Sequence, residues 1–387
     1  MSLIKTEAWV LHEGLAGAPT VTAELQREEF SFPDIKPDEV LAEPIYGCWE
    51  GNMGHAIERK PVDICRQRGE SKVVLGNAGV VRITKIGAAV TTVKEGDFAL
   101  FVAIGTSDQF GYMIKVVGYD APHTMGVLAK QIKLHQHQVI ALPSHSRHSL
   151  QQWAGFSLRY LTAWANWKLA YDCWRLQMPE DDFPLPYAWG WGGGVAFAQL
   201  QLAKMGGAHT AMITSNSERT ALLLQTGITP VDRRQFSDME YDEQRYQRDP
   251  EYRTAYAKAE KQFIEIVQSL TNGFGVSIFI DNIGQPVLRG TLRALARQGV
   301  IATSGWKKGM NLTVNRALEC INHHIHVYTH GLQYKQAVTC VQFAEATGWL
   351  PPADCPVYAW ENVPQLAQDY ANGSISSYFP LFEINKI

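Results

Sequence analysis

The sequence has no long apolar run and little net charge. No stretch of its 387 residues reaches the 18 or so uncharged apolar positions that a membrane-spanning helix needs. The formal net charge is -3, which gives no electrostatic case for a nucleic-acid or anionic-membrane partner. Residues 1–11 lack the basic segment and apolar run of a secretory signal. We therefore expect a cytoplasmic protein.

The chain also lacks paired cysteines. Its six cysteines form no Cys-x-x-Cys motif and lie far apart, at Cys48, Cys65, Cys173, Cys320, Cys340 and Cys355. This spacing is typical of free thiols in a reducing compartment. Because 387 residues are too many for one compact core, we expect two domains.

Two secondary-structure patterns follow one another along the chain. Short strand-like runs separated by turns occupy residues 1–155, which predicts a small antiparallel β-barrel. Strands and helices then alternate within residues 156–328, which predicts the parallel sheet of a Rossmann domain with right-handed crossovers. Residues 329–387 are expected to return to the first domain and to close it with a strand over 376–381. The fold class is therefore α/β.

Two further helices are predicted in the second domain. Residues 237–261 are dense in Asp, Glu, Arg, Lys and Tyr, and this predicts an inserted, solvated helix. A helix is also predicted from Val287 to Arg297, followed by a strand over 299–303.

A glycine cluster stands between a predicted strand and a predicted helix. The segment Gly190–Ala196 reads GWGGGVA and directly follows the strand-like run 187–189. Glycines let phosphate oxygens approach the backbone, and a helix N-terminus offers unpaired N–H groups. A plain loop is the alternative. We expect these residues to bind the pyrophosphate of a dinucleotide: Gly190, Gly192, Gly193, Gly194 and Val195.

The end of the second strand of this domain indicates which dinucleotide binds. Enzymes that use NAD place a carboxylate there to bind the ribose 2′-hydroxyl. Here Thr214, Ser215 and Asn216 supply hydroxyls and an amide, and Arg219 follows, which favours NADPH. Glu218 would weaken this preference if it turned inward, and the same polar residues could simply cap the next helix. Four further residues complete the predicted cofactor site: Arg233, Asn282, Ser304 and Trp306.

The order of a barrel before a Rossmann domain resembles the zinc alcohol dehydrogenases. Their zinc-binding histidine lies in a Gly-His-Glu run before Gly-Val-Val, whereas this chain has Asn77-Ala78 before Gly79. Cys48 falls near the first ligand position, but one cysteine does not hold zinc. The group His323-His324-x-His326 has spacing that could bind a metal, although surface histidines are the alternative. We expect no metal, and without a Lewis acid we expect an activated C=C bond as the substrate.

Over nearly its full length the chain resembles the medium-chain dehydrogenase/reductase superfamily, and within it the crotonyl-CoA carboxylase/reductase group. The matching segments are Leu75–Val81, Trp189-Gly190, Val231–Arg233, Arg248–Glu251, Leu270–Gly273 and Thr329–Ala337. The resemblance implies NADPH-dependent reduction of an enoyl thioester carried by CoA or acyl carrier protein. It also implies that the barrel is GroES-like and that the protein is a homodimer or homotetramer. From the net charge and the lack of long apolar runs, we expect no nucleic-acid or membrane partner.

The same resemblance implies catalytic residues. Carboxylating members hold CO₂ with an Asn, a Phe-Glu pair and a His. His330 fits the histidine, Asn52 fits the Asn-bearing stretch, and Glu50 replaces a neighbouring Asn. The Phe-Glu pair aligns with Ala121-Pro122, so we expect reduction without carboxylation. Thr162 resembles a threonine on the nicotinamide side. The alternatives are a carbonyl, quinone or alcohol oxidoreductase of the superfamily, or an NADPH-binding homologue with a different reaction.

Overall fold

The computed structural model of the chain describes residues 3–15, 22–305, 307–308, 311–314 and 332–387, with the backbone of 326–329. The chain divides into two compact units. Met1–Leu161 and Leu332–Ile387 form the first unit, and Thr162–Gly331 forms the second. These divisions fall a few residues after the domain boundaries expected from the sequence.

Antiparallel pairing dominates the first unit. One sheet has the order β2-β1-β4, a larger one has the order β10-β6-β5-β3-β18-β17 with β9 on β3, and β7 and β8 form a hairpin. The strands are β1 Leu3–His12, β2 Gln26–Pro33, β3 Glu39–Cys48, β4 Lys72–Val74, β5 Gly79–Ile86, β6 Phe98–Phe101, β7 Ile104–Ser107, β8 Met113–Val116, β9 Ile132–His135, β10 Val139–Ala141, β17 Val357–Tyr358 and β18 Leu381–Glu383.

The helices of the first unit are short or peripheral. They are α1 Gly51–Ile57, α2 Ile64–Arg68, α3 Leu150–Phe156, α10 Tyr334–Thr347 and α11 Val363–Ala371, together with the first turn of α4 Arg159–Arg175. Residues 150–175 thus form two successive helices, α3 and α4.

Strand β3 carries the chain from the surface into the core. Its first half alternates half-buried and buried residues, and its last five residues are all buried. The chain stays buried beyond the strand, where the Cys48 N–H donates to the Ala78 carbonyl at 3.0 Å and the Trp49 N–H donates to the Pro380 carbonyl at 2.9 Å. This strand end therefore places Trp49 and Glu50 inside the unit.

The second unit is a six-stranded sheet in the order β13-β12-β11-β14-β15-β16, and all its pairings are parallel. The α/β class, with a Rossmann-like sheet and separate antiparallel sheets, is confirmed. The strands are β11 Tyr187–Trp191, β12 His209–Thr214, β13 Thr229–Asp232, β14 Val276–Asp281, β15 Leu295–Thr303 and β16 His326–Thr329, and the helices are α5 Gly194–Met205, α6 Ser217–Gln225, α7 Glu243–Arg248, α8 Pro250–Leu270 and α9 Gln285–Ala294, beside the remainder of α4.

The prediction of one solvated inserted helix over 237–261 is wrong. The segment forms two helices, and the longer one, α8, buries one face. Tyr256 and Phe263 lie on that face, and the Phe263 ring centroid is 5.4 Å from that of Trp191. The buried positions of α8 recur every three or four residues. The charged residues therefore mark the outer face of an amphipathic helix that covers the sheet.

Two predicted element boundaries are also wrong. The helix predicted over 287–297 ends at Ala294, because Leu295 already pairs with Val276 in the sheet. The closing strand predicted over 376–381 begins only at Leu381. Pro380 just before it has no N–H to donate to a strand ladder. Within the described part of the chain, no helix is both long and apolar enough to cross a bilayer.

Candidate active site and cofactor site

The glycine loop lies between β11 and α5. A side chain at Gly190 would meet Leu200, Ala196 and Ile280 at 3.3–3.6 Å, so this glycine permits close packing of helix on strand. Gly193 is different, because a methyl group there would meet nothing within 4 Å. The loop is thus closely packed against neighbouring residues at Gly190, whereas Gly193 has open space beside it.

The first turn of α5 begins at this open position. Gly193 is its N-cap residue, and no described side chain caps the turn. By contrast, Ser149 caps α3 and Asn216 caps α6 through side-chain oxygens. A helix start without a side-chain cap and with open space beside it suits an oxygen-rich anion. Gly194 is buried at the start of this helix, and Val195 is half-buried.

The end of β12 is polar, as predicted. Thr214 is buried, Ser215 is exposed, and the Asn216 N–H donates to Thr214 Oγ1 at 3.2 Å. Asn216 Oδ1 accepts from the Arg219 N–H at 2.9 Å, so the capping alternative describes this asparagine. Ser215 and the Arg219 side chain remain the candidates for contact with a ligand.

Three cations lie close enough to Lys307, near this strand end, for their charges to act on it. Desolvation, followed by the charges of Arg219, Lys308 and Arg233, lowers the pKa of Lys307. Glu240 contributes a carboxylate to this group: its Oε1 is 2.9 Å from Lys308 Nζ and 2.5 Å from Arg233 Nη2. The excess of positive charge fits a phosphate group.

Sequence reasoning missed Lys307 and Lys308. Their N–H groups donate to the carbonyls of Asn282 and Ile283, at 3.2 and 2.7 Å, which fixes the lysine pair at the end of β14. The only available signal was two adjacent lysines shortly after the predicted strand 299–303. Their proximity to Arg219 depends on tertiary structure.

Asn282 joins the ends of two strands beside the glycine loop. Its Oδ1 accepts from the Ser304 N–H at 2.8 Å and lies 3.1 Å from Ser304 Oγ. A side chain at Gly192, whose φ is +123°, would come within 3.3 Å of Asn282 Cβ. The structure therefore brings together Gly192, Asn282 and Ser304. Trp306 lies outside the described residues.

A buried network supports this strand end, and the sequence analysis did not identify it. Asp281 Oδ1 accepts from the N–H groups of Ile283 and Gly284, at 3.0 and 3.1 Å. Thr291 Oγ1 donates to Asp281 Oδ2 at 2.9 Å and accepts from Trp191 Nε1 at 2.9 Å. Burial raises the pKa of Asp281, although all three partners lower it.

In the first unit, Glu50 is part of a buried charge cluster. Its Oε2 lies 3.1 Å from Arg159 Nε. Arg159 also donates to the Trp49 carbonyl at 2.6 Å, and its Nη1 is 3.1 Å from Cys48 Sγ. Burial raises the pKa of Glu50 to about 7, against the lowering effect of Arg159.

Several polar atoms beside this cluster have no partner among the described residues. They are Trp49 Nε1, Glu50 Oε1, Asn52 Oδ1, Asn77 Nδ2 and Asn77 Oδ1. Asn77 is 1% exposed and Trp49 is 0% exposed. Buried polar groups in native proteins are nearly always paired, so this concentration needs a specific explanation.

The residues near Cys48 do not fit a zinc ion. The Arg159 guanidinium contacts the thiol and would repel a second cation, and Asn77 offers an amide in place of an imidazole. Among the described residues, no three His, Cys, Asp or Glu side chains are grouped as metal ligands. The side chains of His323, His324 and His326 lie outside the described part.

The other predicted catalytic residues are placed as follows. Thr162 is buried on α4, four residues before Asn166, whose Oδ1 accepts from Gln199 Nε2 at 2.6 Å. Asn52 lies in the first turn of α1. His330 falls outside the described residues, so its role stays a prediction.

No protein-family model matches the chain. Solved structures do resemble it. The 2-octenoyl-CoA carboxylase reductase CinF, in complex with NADP and 2-octenoyl-CoA, is 17% identical, with a TM-score of 0.78 over 98% of this chain and 87% of that one. A crotonyl-CoA carboxylase/reductase is 19% identical, with a TM-score of 0.78 over 98% and 88%. An alcohol dehydrogenase from Aeropyrum pernix is 18% identical, with a TM-score of 0.74 over 97% and 99%.

These neighbours define the class of fold. The chain shares the fold of these carboxylase/reductases and alcohol dehydrogenases, which is the fold that the resemblance predicted. The predicted likeness to crotonyl-CoA carboxylase/reductases is also confirmed, at the level of fold that these identities support.

Proposed function

We propose that this protein is an NADPH-dependent oxidoreductase that reduces the C=C bond of an α,β-unsaturated thioester. The observation that carries the proposal is the glycine loop that opens at Gly193, in the same unit as a cluster of four cations. The loop fits a pyrophosphate, and the cluster fits the additional 2′-phosphate that distinguishes NADPH from NADH.

The residues that would hold the cofactor all belong to the second unit. The amides of Gly193, Gly194 and Val195 would bind the pyrophosphate, and Arg219 with Lys307 would bind the 2′-phosphate. The proposed site also includes the residues that directly follow strands β12, β13, β14 and β15, which are Ser215, Arg233, Asn282 and Ser304. Trp306 is proposed from sequence alone. When bound, NADPH supplies the hydride, and the protein supplies orientation and electrostatic stabilisation. Several structural neighbours are solved with NADP, which supports this choice.

The substrate class is proposed from two lines of support. Neighbours named for 2-octenoyl-CoA and crotonyl-CoA act on enoyl thioesters. In addition, the residues around Cys48 do not fit a zinc ion, and a conjugated C=C bond accepts hydride with less polarisation than a simple ketone needs. Glu50, Asn52, Thr162 and His330 are the proposed catalytic residues. The carrier is CoA or acyl carrier protein. From sequence alone, we also propose a cytoplasmic homodimer or homotetramer.

Carboxylation is not part of the proposal. Ala121 and Pro122 stand where carboxylating relatives have a Phe-Glu pair. Ala121 is buried, and its N–H donates to the Val116 carbonyl at 3.0 Å within a tight turn. Neither residue offers a polar side chain that could orient CO₂. The expected product is therefore the simple saturated thioester.

A substrate panel tests this function. NADPH consumption is measured with short and long enoyl-CoA substrates and with ketones, aldehydes and quinones, with and without a chelator. We expect turnover of enoyl-CoA that survives the chelator, and no incorporation of labelled bicarbonate. Turnover restricted to carbonyl compounds or quinones would favour the activity suggested by the alcohol dehydrogenase neighbour. Label in the product would show that carboxylation survives.

A further inference from the structure

Unpaired buried polar atoms are concentrated in one place. In the described part of the chain, five of the ten buried side-chain atoms without a partner belong to Trp49, Glu50, Asn52 and Asn77. A buried polar group without a partner destabilises the folded state. A group of them is therefore maintained at the expense of stability unless a ligand or water completes it.

The backbone brings these residues to neighbouring segments. Strands β3 and β5 are antiparallel, with Gly47 opposite Gly79, and the Cys48 N–H bonds to the Ala78 carbonyl. Trp49 directly follows Cys48 and Asn77 directly precedes Ala78, so this hydrogen bond joins the two segments that carry them. Glu50 follows directly, at the start of α1.

The unpaired atoms include hydrogen-bond donors. Trp49 Nε1 can only donate, and Asn77 Nδ2 donates two hydrogens. Glu50 Oε1 becomes a donor when it carries the proton, because Arg159 occupies Oε2. Burial raises the pKa of Glu50 to about 7, so the protonated form is well populated at neutral pH. Trp49 and Asn77 thus offer donors without partners among the described residues, and protonated Glu50, which also contacts Cys48 and Arg159, offers a third donor.

We propose that Trp49, Asn77 and protonated Glu50 form an oxyanion site that binds the thioester oxygen of the substrate. This deepens the function proposed above and rests on it. Hydride adds to the β-carbon, the C=C π bond breaks, and the electron pair moves onto the thioester oxygen as an enolate. The three donors stabilise that charge. The α-carbon then takes a proton from water, and the C=O bond forms again.

Neutral donors suit this task because they take the place of a Lewis acid. Preorganised donors aimed at developing charge are often the largest single contribution to catalysis, and removing one costs about 10²–10³ in kcat. Arg159 is a positioning residue here, since it holds Glu50 and the Trp49 carbonyl.

The chain contains matched controls for the two uncharged donors. Trp9 is also a buried tryptophan, but its Nε1 donates to the Trp360 carbonyl at 3.0 Å. Asn385 Nδ2 donates to the carbonyls of Pro44 and Lys130 at 2.8 and 2.9 Å. Both controls lie in the same unit and differ from Trp49 and Asn77 in having partners.

The first experiment compares Asn77→Leu and Trp49→Phe with Asn385→Leu and Trp9→Phe in the full chain. It measures kcat with an enoyl-CoA, thermal unfolding, and the Kd for NADPH. We expect the first pair to lose about 10²–10³-fold in kcat, with unchanged NADPH affinity and an unfolding midpoint that does not fall. The control pair should lower the midpoint and leave kcat unchanged.

The second experiment tests Glu50 through pH. The titratable groups that act on Glu50 are Arg159 and Cys48, and Cys355 and Tyr370 act in turn on Arg159. Because the pKa of Glu50 is raised to about 7, its donor form is lost as pH rises through that value. In the wild type, kcat/KM should therefore fall above about pH 7. Glu50→Gln keeps a donor at every pH, so its profile should lack this fall.

Two outcomes would overturn the oxyanion site. If Asn77→Leu lowers the unfolding midpoint as much as Asn385→Leu and leaves kcat unchanged, the asparagine is structural. If Glu50→Gln keeps the fall above pH 7, Glu50 is not the titrating donor. If the wild type binds NADPH but reduces no enoyl thioester, the function proposed above fails as well, which separates that result from the other two.

Discussion

The carboxyl end of the parallel sheet and the end of strand β3 are both buried and polar, yet they differ in how completely their polar groups are paired. In the second unit, both oxygens of Asp281 and the hydroxyl of Thr291 have partners. In the first unit, both polar atoms of the Asn77 side chain lack them. Paired groups maintain the shape of a site, whereas unpaired groups keep their hydrogen-bonding capacity for a ligand.

Thr291→Val should give the largest stability change in this comparison. It leaves Trp191 Nε1 and Asp281 Oδ2 buried without their partner, and a buried charged group is costly to leave unpaired. We expect a loss of about 2–4 kcal/mol in the free energy of unfolding. Chemical denaturation measures it, and Thr291→Ser, which keeps the hydroxyl, should lose less. Equal losses in the two variants would show that packing decides the stability.

A smaller loss is expected at the buried amide pair of Asn166 and Gln199. Asn166→Leu removes the acceptor of Gln199 Nε2 and the donor to the Thr303 carbonyl, so it should cost about 1–3 kcal/mol. Adding Gln199→Leu removes the stranded amide as well. A double-mutant cycle should therefore show the second change costing less in the presence of the first. Simple additivity would contradict the pairing.

Gly193→Ala should change binding more than stability. The added methyl group meets no protein atom within 4 Å, so the unfolding midpoint should stay the same. The methyl group would occupy the space through which a pyrophosphate approaches the backbone, and we expect NADPH affinity to fall about tenfold. Gly206→Ala, at the other end of α5, is the control and should leave affinity unchanged. Unaltered NADPH binding in Gly193→Ala would move the pyrophosphate away from this loop.

Much of the second unit could be predicted because its signals are local. The glycine loop, the strand before it and the helix after it are adjacent in sequence, and the helix predicted after the loop is α5. The prediction of a fully solvated helix over 237–261 failed because a high density of charged residues indicates that one face of a helix is exposed. It does not indicate whether the opposite face is buried. Only its buried aromatic positions show that α8 covers the sheet.

The polar groups of both candidate sites could be predicted only in part. Glu50 and Asn52 were identified through resemblance, but Arg159, the partner of Glu50, lies more than a hundred residues away. Lys307 likewise becomes a candidate phosphate ligand only because it lies near Arg219, which follows a different strand. Contacts between residues distant in sequence leave no periodicity or spacing that a single sequence reveals.

Titration of the wild-type chain with NADPH and with NADH tests the central claim most directly. Isothermal calorimetry gives both affinities, and Arg219→Ala and Lys307→Ala are measured beside Arg234→Ala, whose guanidinium is paired with Asp232 at 2.7 Å. We predict that NADPH binds at least about tenfold more tightly than NADH, and that the first two variants reduce this preference while Arg234→Ala keeps it. Equal affinity for the two dinucleotides, or a preference that survives in Arg219→Ala and Lys307→Ala, would contradict the account.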